Sequence, residues 1–130
     1  MKAIYIAAFA ALLMGCASGG SSPAKDAHSP PPPDAVKISG SEITNQFIGR
    51  SHQSVTASGQ SFTEILTADG KAKIHITGTP EATGNWKITG DVICVAYTAY
   101  GEECNIVKAN EQSFWFIDNV KGTTNNRFPR

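Results

Sequence analysis

Hydrophobic positions along the chain follow three patterns in succession. A continuous apolar run covers residues 3–14, and a stretch almost without large apolar side chains covers residues 17–36. Ile43 and Phe47 then stand four residues apart, the spacing that places two side chains on one face of a helix. After Gly49, apolar and polar residues alternate with a period of two, as in strands. This order predicts a hydrophobic leader, a linker, one helix and a mainly β domain.

The helix is predicted between Ile38 and Gly49. Ser39 and Glu42 have the spacing of a capping box, in which each side chain satisfies a free amide of the first turn. Gly49 is placed to end the helix. We expect the face that carries Ile43 and Phe47 to cover one end of the β structure that follows.

The strands are predicted from short apolar-alternating runs that turn residues separate at close spacing. In residues 71–77, for example, Ala72, Ile74 and Ile76 share one face, and lysines and His75 share the other. The predicted strands cover residues 52–57, 61–67, 71–77, 85–89, 92–98, 103–109 and 112–118, and residues 123–128 are expected to add an edge strand. Seven to eight sequential strands indicate an antiparallel meander, which closes into a small barrel or a strongly curled sheet to manage its edges.

The N-terminal residues have the features of an export signal. Met1 and Lys2 form a short positive start, and the apolar run of about a dozen residues is too short for a membrane-spanning helix, which needs about 20. The run ends in Leu13-Met14-Gly15-Cys16, which resembles the lipobox of bacterial lipoproteins. That resemblance implies that residues 1–15 are removed as a signal peptide and that Cys16 carries a diacylglycerol and an acylated amine. The alternative is an ordinary secretory signal that is cleaved within residues 17–20.

The lipoprotein resemblance also implies a location. A single acyl chain binds a membrane only marginally, at about 0.8 kcal/mol per buried methylene, whereas two or more chains hold firmly. Ala17 follows Cys16, where inner-membrane lipoproteins of this kind usually have Asp, so the resemblance implies the outer membrane, on its periplasmic face. Residues 16–36 are then the lipidated cysteine and a disordered Gly/Ser/Pro tether, in which Pro30–Pro33 form a stiffer spacer or, alternatively, a proline-recognition ligand. Residues 37–130 are predicted to form one β domain.

Charge and cysteine content narrow the function classes. Eleven basic and eleven acidic residues give a net charge of zero, so the chain lacks the basic surface of nucleic-acid-binding proteins.

Once Cys16 is assigned to the lipid, Cys94 and Cys104 remain as an even pair in an exported domain, where disulfides persist. They flank a predicted hairpin and are able to face each other across its two strands; the alternative is two free thiols.

Candidate catalytic and metal-binding residues are few. His28 lies in the tether, His52 begins a strand and His75 lies on a polar strand face, and no two of the three histidines have metal-ligand spacing. We expect solvated surface histidines, no metal site and no cofactor. Glu64 alternates with Phe62 and Leu66 and is predicted to point inward, as a hydrogen-bonded barrel residue rather than as an acid or base with a shifted pKa.

The aromatic residues admit two roles. Trp86, Trp115, Phe114 and Phe116 are expected to belong to the core rather than to a ligand cage. An exposed patch of Tyr97, Tyr100 and Trp115 would instead favour binding of a partner protein.

Two family resemblances involve the domain, of which the first covers nearly all of it, roughly residues 38–116, and the second only a short part. Gly84-Asn85-Trp86, the Gly90-Asp91 turn, the Asp69-Gly70 turn and the two later cysteines resemble small uncharacterised bacterial envelope lipoproteins with a helix and a lipocalin-like β domain. That family implies no particular activity. Gly84-Asn85-Trp86 is also similar to elements of lipocalin-like barrels that include periplasmic protease inhibitors. In those inhibitors one cysteine precedes the Trp, whereas both Cys94 and Cys104 follow Trp86 here.

The sequence therefore favours a membrane-anchored, non-enzymatic envelope protein, expected to be a monomer. Its domain is expected to bind another envelope protein, a peptidoglycan fragment or a small apolar ligand in the barrel mouth. The alternatives are a protease-inhibitor-like barrel and a small enzyme that uses Glu64 or His52. A purely structural envelope component without a discrete ligand is a further alternative.

Overall fold

The computed structural model describes residues 26–130. The predicted signal peptide, the lipidation site Cys16 and the first part of the tether lie outside the described residues. The elements, in chain order, are β1 Val36–Lys37, α1 Gly40–Gln46, β2 Ser51–Val55, β3 Ser61–Leu66, β4 Lys71–Ile76, β5 Ala82–Thr89, β6 Val92–Tyr97, β7 Gly101–Ala109, β8 Ser113–Asp118 and β9 Thr124–Pro129. Within the described range, no helix has the length and apolar content needed to cross a membrane.

The sheet is an antiparallel meander in which β2 to β9 pair in sequence order. It curls until its two edges nearly meet, and the Ser54 hydroxyl on β2 donates a hydrogen bond to the Arg127 carbonyl on β9 at 2.7 Å. The predicted fold class, a short helix followed by a meander that forms a small barrel, is confirmed. The expected edge strand near the C-terminus is β9, which pairs with β8 along most of its length. The additional strand β1 pairs with the last residues of β7, Lys108 and Ala109, beyond the point where β6 begins.

Helix α1 covers one end of the barrel. The Ser39 side chain caps it by accepting a hydrogen bond from the Glu42 amide at 3.2 Å, so this part of the predicted capping box is present. Gly40 lies so close to the β5–β6 turn that a Cβ atom there would stand 2.2 Å from the Gly90 carbonyl oxygen. This close approach lets the helix bring Ile43 and Phe47 fully into the core, as the sequence predicts.

Aromatic rings pack together directly under the helix. The Phe47 ring lies 4.8–5.3 Å from the rings of Phe114, Phe116 and Phe128 and makes edge and tilted contacts with them. Such aromatic contacts add about 0.5–1.5 kcal/mol per pair beyond the burial of area. Phe47 therefore acts as a plug for this end of the barrel.

The segment from residue 26 to residue 35 differs from the disordered tether that its composition predicts. Ala27 is completely buried and Ala35 is 9% exposed. Ala35 packs with Trp115 and Ile117 on the outward face of β8, and Asp26 forms an ion pair with Arg127 on β9 at 3.3 Å. The segment packs against the sheet because β8 has apolar side chains on both faces, and those on its outer face are buried by this contact.

The two remaining cysteines lie directly opposite each other on β6 and β7. Cys94 and Cys104 are register partners, and their sulfur atoms are 2.07 Å apart, at disulfide-bond distance. Both side chains point outward, away from the barrel interior. The predicted position of the pair across a hairpin is confirmed.

Candidate functional site: the barrel cavity

A cavity of about 490 Å³ occupies the barrel end opposite the helix. At this end the β2–β3 and β6–β7 turns contribute Thr56, Ala57 and Tyr100 to its rim. Deeper in, inward-facing apolar side chains of β3, β4, β6, β8 and β9 form its wall: Phe62, Ile74, Ile76, Val95, Phe116 and Phe128. The alternation of each strand points these side chains inward, but at this end no bulky side chain such as Phe47 plugs the described part of the barrel.

Glu64 is the buried carboxyl group of the cavity. It points inward from β3, as predicted, and is only 7% exposed. The Tyr97 hydroxyl on β6 donates a hydrogen bond to its Oε2 atom at 2.7 Å. Burial raises the pKa of Glu64 to about 7; the hydrogen bond from Tyr97 acts against this shift, and the nearby charge of Glu103 adds to it. Glu64 is therefore both the hydrogen-bonded residue that the sequence favours and a group with a shifted pKa.

Tyr97 is a positioned donor rather than a surface residue. It is 7% exposed, and burial together with the charge of Glu64 raises the pKa of its hydroxyl group. It therefore stays protonated at physiological pH and keeps its hydrogen bond to Glu64. The sequence contained the signal for this position, because Tyr97 continues the inward alternation of Ile93 and Val95 along β6.

Polar residues surround the mouth of the cavity. Asn125 donates a hydrogen bond from its side-chain amide to the Asn105 side-chain oxygen at 2.8 Å, and both residues line the cavity. Glu103 lies at the exposed rim, where loss of hydration raises its pKa; the hydrogen bond with Asn105 and the charge of His28 oppose this shift, and the charge of Asp118 adds to it. Glu103 lines this mouth but is exposed, like its neighbour Glu102.

The position of His52 corrects the expectation of a solvated surface histidine. Its side chain is 6% exposed and stacks on the Phe47 ring, with ring centroids 3.7 Å apart. Its Nε2 atom lies 2.9 Å from the Phe47 carbonyl oxygen, to which a ring N–H at that atom donates. Burial lowers the pKa of the imidazole, so it stays neutral at physiological pH. His52 is a neighbour of Glu64 across β2 and β3, but it does not line the cavity.

The exposed aromatic patch proposed from the sequence does not form. Tyr97 faces the cavity, and Trp115 is 5% exposed because the N-terminal segment covers it. Tyr100 alone of the three is exposed, at 51%. The other two histidines, His28 and His75, are exposed as expected.

One cluster among the described residues has side chains close enough together to hold a metal ion: Cys94, Glu102 and Cys104. The two sulfur atoms are at bonding distance from each other, so neither is a free thiolate. This cluster therefore fits a disulfide rather than a metal centre.

No family model, curated protein or solved structure matches this chain. The functional conclusion therefore depends on what the cavity can do. It offers an apolar wall, one buried carboxyl group held by a tyrosine and a polar mouth. Such a site can enclose a small molecule and orient one polar group of it at Glu64.

Proposed function

We propose that this protein is a lipid-anchored component of the bacterial cell envelope whose β domain binds a small, largely apolar molecule inside the barrel. The observation that carries the proposal is the cavity, in which the paired Glu64 and Tyr97 lie on an otherwise mainly apolar wall. Its volume of about 490 Å³ falls within the range of about 300–1,000 Å³ that ligand sites occupy.

The contrast between the two barrel ends supports a ligand. At the helix end, Phe47 fills the interior together with three other phenylalanine rings. At the other end the inward positions of β7 and β9 include Glu103, Asn105 and Asn126, whose polar side chains leave space unfilled. Protein interiors are normally packed without large voids, so a wall of this kind is better suited to a bound molecule than to a structural core.

The lipid anchor is supported by the sequence features of residues 1–16. Cys16 precedes Asp26 by ten residues, which span at most about 35 Å when fully extended. His28, near the start of the described chain, lines the cavity. An anchor at Cys16 would therefore keep the cavity mouth close to the membrane surface.

The competing functions have less support from the described residues. An enzyme that uses His52 would need that imidazole in the cavity, but it is stacked on Phe47 and bonded to a backbone carbonyl. Glu64 remains the one candidate acid or base of the cavity interior. Docking of a partner protein on an aromatic patch loses its basis, since Tyr97 and Trp115 are buried.

Binding of an apolar fluorescent probe tests the ligand-binding proposal. Val95 is buried and points into the cavity, so Val95→Trp fills the space and should abolish probe binding. Ala96 is the next residue on β6 and points outward, so Ala96→Trp is the matched control and should bind the probe as the wild type does. Circular dichroism must show the same β structure in all three proteins. Absence of probe binding by the wild type, or undiminished binding by a folded Val95→Trp variant, would contradict the proposal.

A further inference from the structure

Acidic side chains outnumber basic ones around the cavity. Two carboxyl groups line it, Glu64 inside and Glu103 at the rim. Among the described residues that line the cavity there is no Lys or Arg, and His28 is the one side chain able to become positive. Apart from His28 at the mouth, a ligand inside therefore meets negative or neutral groups.

We infer that the ligand is an organic ammonium ion with a short apolar body, whose charged nitrogen pairs with the Glu64 carboxylate. This inference depends on the proposed function and names the ligand class of the same cavity. The apolar body would lie against the wall formed by side chains such as Ile74, Ile76 and Val95.

The geometry of Glu64 leaves one oxygen atom for such a ligand. The Tyr97 hydroxyl group donates to Oε2, and among the described residues it is the one hydrogen-bond donor to this carboxyl group. Oε1 is therefore left to accept a hydrogen bond from a ligand N–H. A buried carboxylate with a single neutral donor is poorly compensated, and an ammonium group supplies the missing opposite charge.

Aromatic rings provide a second reason to expect a cation. Phe62, Tyr97, Tyr100, Phe116 and Phe128 all line the cavity. Ring faces attract ammonium groups, and this attraction is stronger in sites from which water is excluded. The same lining gives no advantage to an anion, which would also face Glu64 and Glu103.

The titratable groups around Glu64 determine the pH at which this selectivity operates. Tyr97 of β6 stays protonated, Glu103 of β7 adds negative charge, and His28 of the N-terminal segment lies at the mouth. On the adjacent strands, His52 of β2 turns its ring to Phe47, and Ile74 of β4 does not titrate. An ammonium ligand favours ionised Glu64, so the pKa of about 7 makes binding weaken as the pH falls below 7.

Competition between three ligands of equal chain length tests the inference. Octylamine, octanol and octanoate would each displace the fluorescent probe from the mature protein at pH 8. We expect octylamine to bind about tenfold or more tighter than the other two. Its affinity should fall by up to about tenfold for each pH unit below 7 until it reaches that of octanol, whose own affinity should not fall.

Two variants connect the selectivity to the cavity carboxylate. Glu64→Gln keeps the size of the side chain and an acceptor for Tyr97 but removes the charge, and should reduce octylamine binding to the level of octanol. Glu102→Gln removes a charge from an exposed position on β7, next to Glu103, that does not line the cavity, and should leave all three affinities unchanged. Melting curves establish that both variants are folded.

The outcomes separate this inference from the proposed function. Equal binding of octylamine and octanol by the wild type, or preference for octanoate, would overturn the ammonium inference and leave an apolar binding site. A preference for octylamine that persists in folded Glu64→Gln would overturn the role of Glu64. Binding of none of the three ligands, and of no apolar probe, would overturn the proposed function itself.

Discussion

Glu64 lowers the stability of this small domain when its carboxyl group is charged. Its pKa of about 7 in the folded protein, compared with 4.5 for an exposed Glu, means that burial disfavours its charged form. Each pKa unit corresponds to about 1.4 kcal/mol, so the charged side chain lowers the free energy of unfolding by on the order of 3 kcal/mol above pH 7. Groups with such shifts concentrate at functional sites.

Glu64 should make the protein less stable as the pH rises. Its folded-state pKa lies above the unfolded value of 4.5, so the folded state binds the proton more tightly. The stabilisation that protonated Glu64 contributes is therefore complete below pH 4.5 and is lost as the pH rises through about 7. His52 acts in the opposite direction, because burial lowers its pKa below 6.5.

The difference in the free energy of unfolding between wild type and Glu64→Gln isolates the contribution of Glu64 to the pH dependence of stability. Urea unfolding at pH 5 and pH 8 should show that the variant gains stability relative to the wild type by on the order of 3 kcal/mol as the pH rises. Glu102→Gln should show no such gain. An equal difference between Glu64→Gln and wild type at both pH values would mean that Glu64 is not buried in the charged state.

At the scale of residues, the sequence predicts whether a side chain points inward or outward better than it predicts which groups surround that side chain. Period-two alternation correctly placed Glu64, Trp86 and Ile74 on inward faces. The same alternation also places His52 inward, between Ser51 and Gln53, but its polar character favoured a surface position. Stacking on Phe47 outweighs that tendency, and Phe47 is brought there by the helix, which no local pattern around His52 reveals.

Strand β8 and the N-terminal segment form a unit at the scale of elements. Phe114 and Phe116 point into the barrel, whereas Trp115 and Ile117 point outward and are nevertheless buried. Ala35 contacts this outer pair, and the ion pair between Asp26 and Arg127 holds the segment nearer its start. The prolines of the segment restrict its backbone in advance, so ordering it costs less conformational entropy.

A charge placed under this segment should loosen it. Ala35→Asp puts a carboxylate against Trp115 and Ile117, which should cost about 1–3 kcal/mol of stability and shift tryptophan emission to the red. The matched control is Ala68→Asp in the exposed β3–β4 turn, where both properties should stay within error of the wild type. Identical urea midpoints and emission spectra for Ala35→Asp and the control would show that the segment does not cover β8 in solution.

Composition misled the tether prediction for a physical reason. Disorder is expected when a segment has too little apolar surface to bury, and residues 26–35 contain only alanine and proline as apolar residues. The stabilising surface is supplied by Trp115 and Ile117 instead. A strand that is apolar on both faces signals a covering element, but it does not say which part of the chain provides it.

At the scale of the whole molecule, the described residues 26–130 form a nearly closed barrel with two different ends. The meander order, the helix plug and the Cys94–Cys104 pair follow from local spacing, which is why the sequence could predict them. The sequence suggested a ligand in the barrel mouth, but the size and lining of the cavity could not be predicted. They depend on how far the edge strands β2 and β9 approach and on which inward positions of all the strands meet at one level. Tyr97 and Glu64, 33 positions apart in sequence, are brought together only by that closure.

Intact-mass measurement and membrane fractionation of the native protein beside Cys16→Ala test the proposed envelope lipoprotein most directly. The native protein should begin at Cys16, carry the mass of its acyl groups and sediment with membranes, while Cys16→Ala should carry no acyl mass. If both proteins are soluble and begin beyond residue 16, the lipid anchor is contradicted, and the barrel would be a freely secreted binding protein.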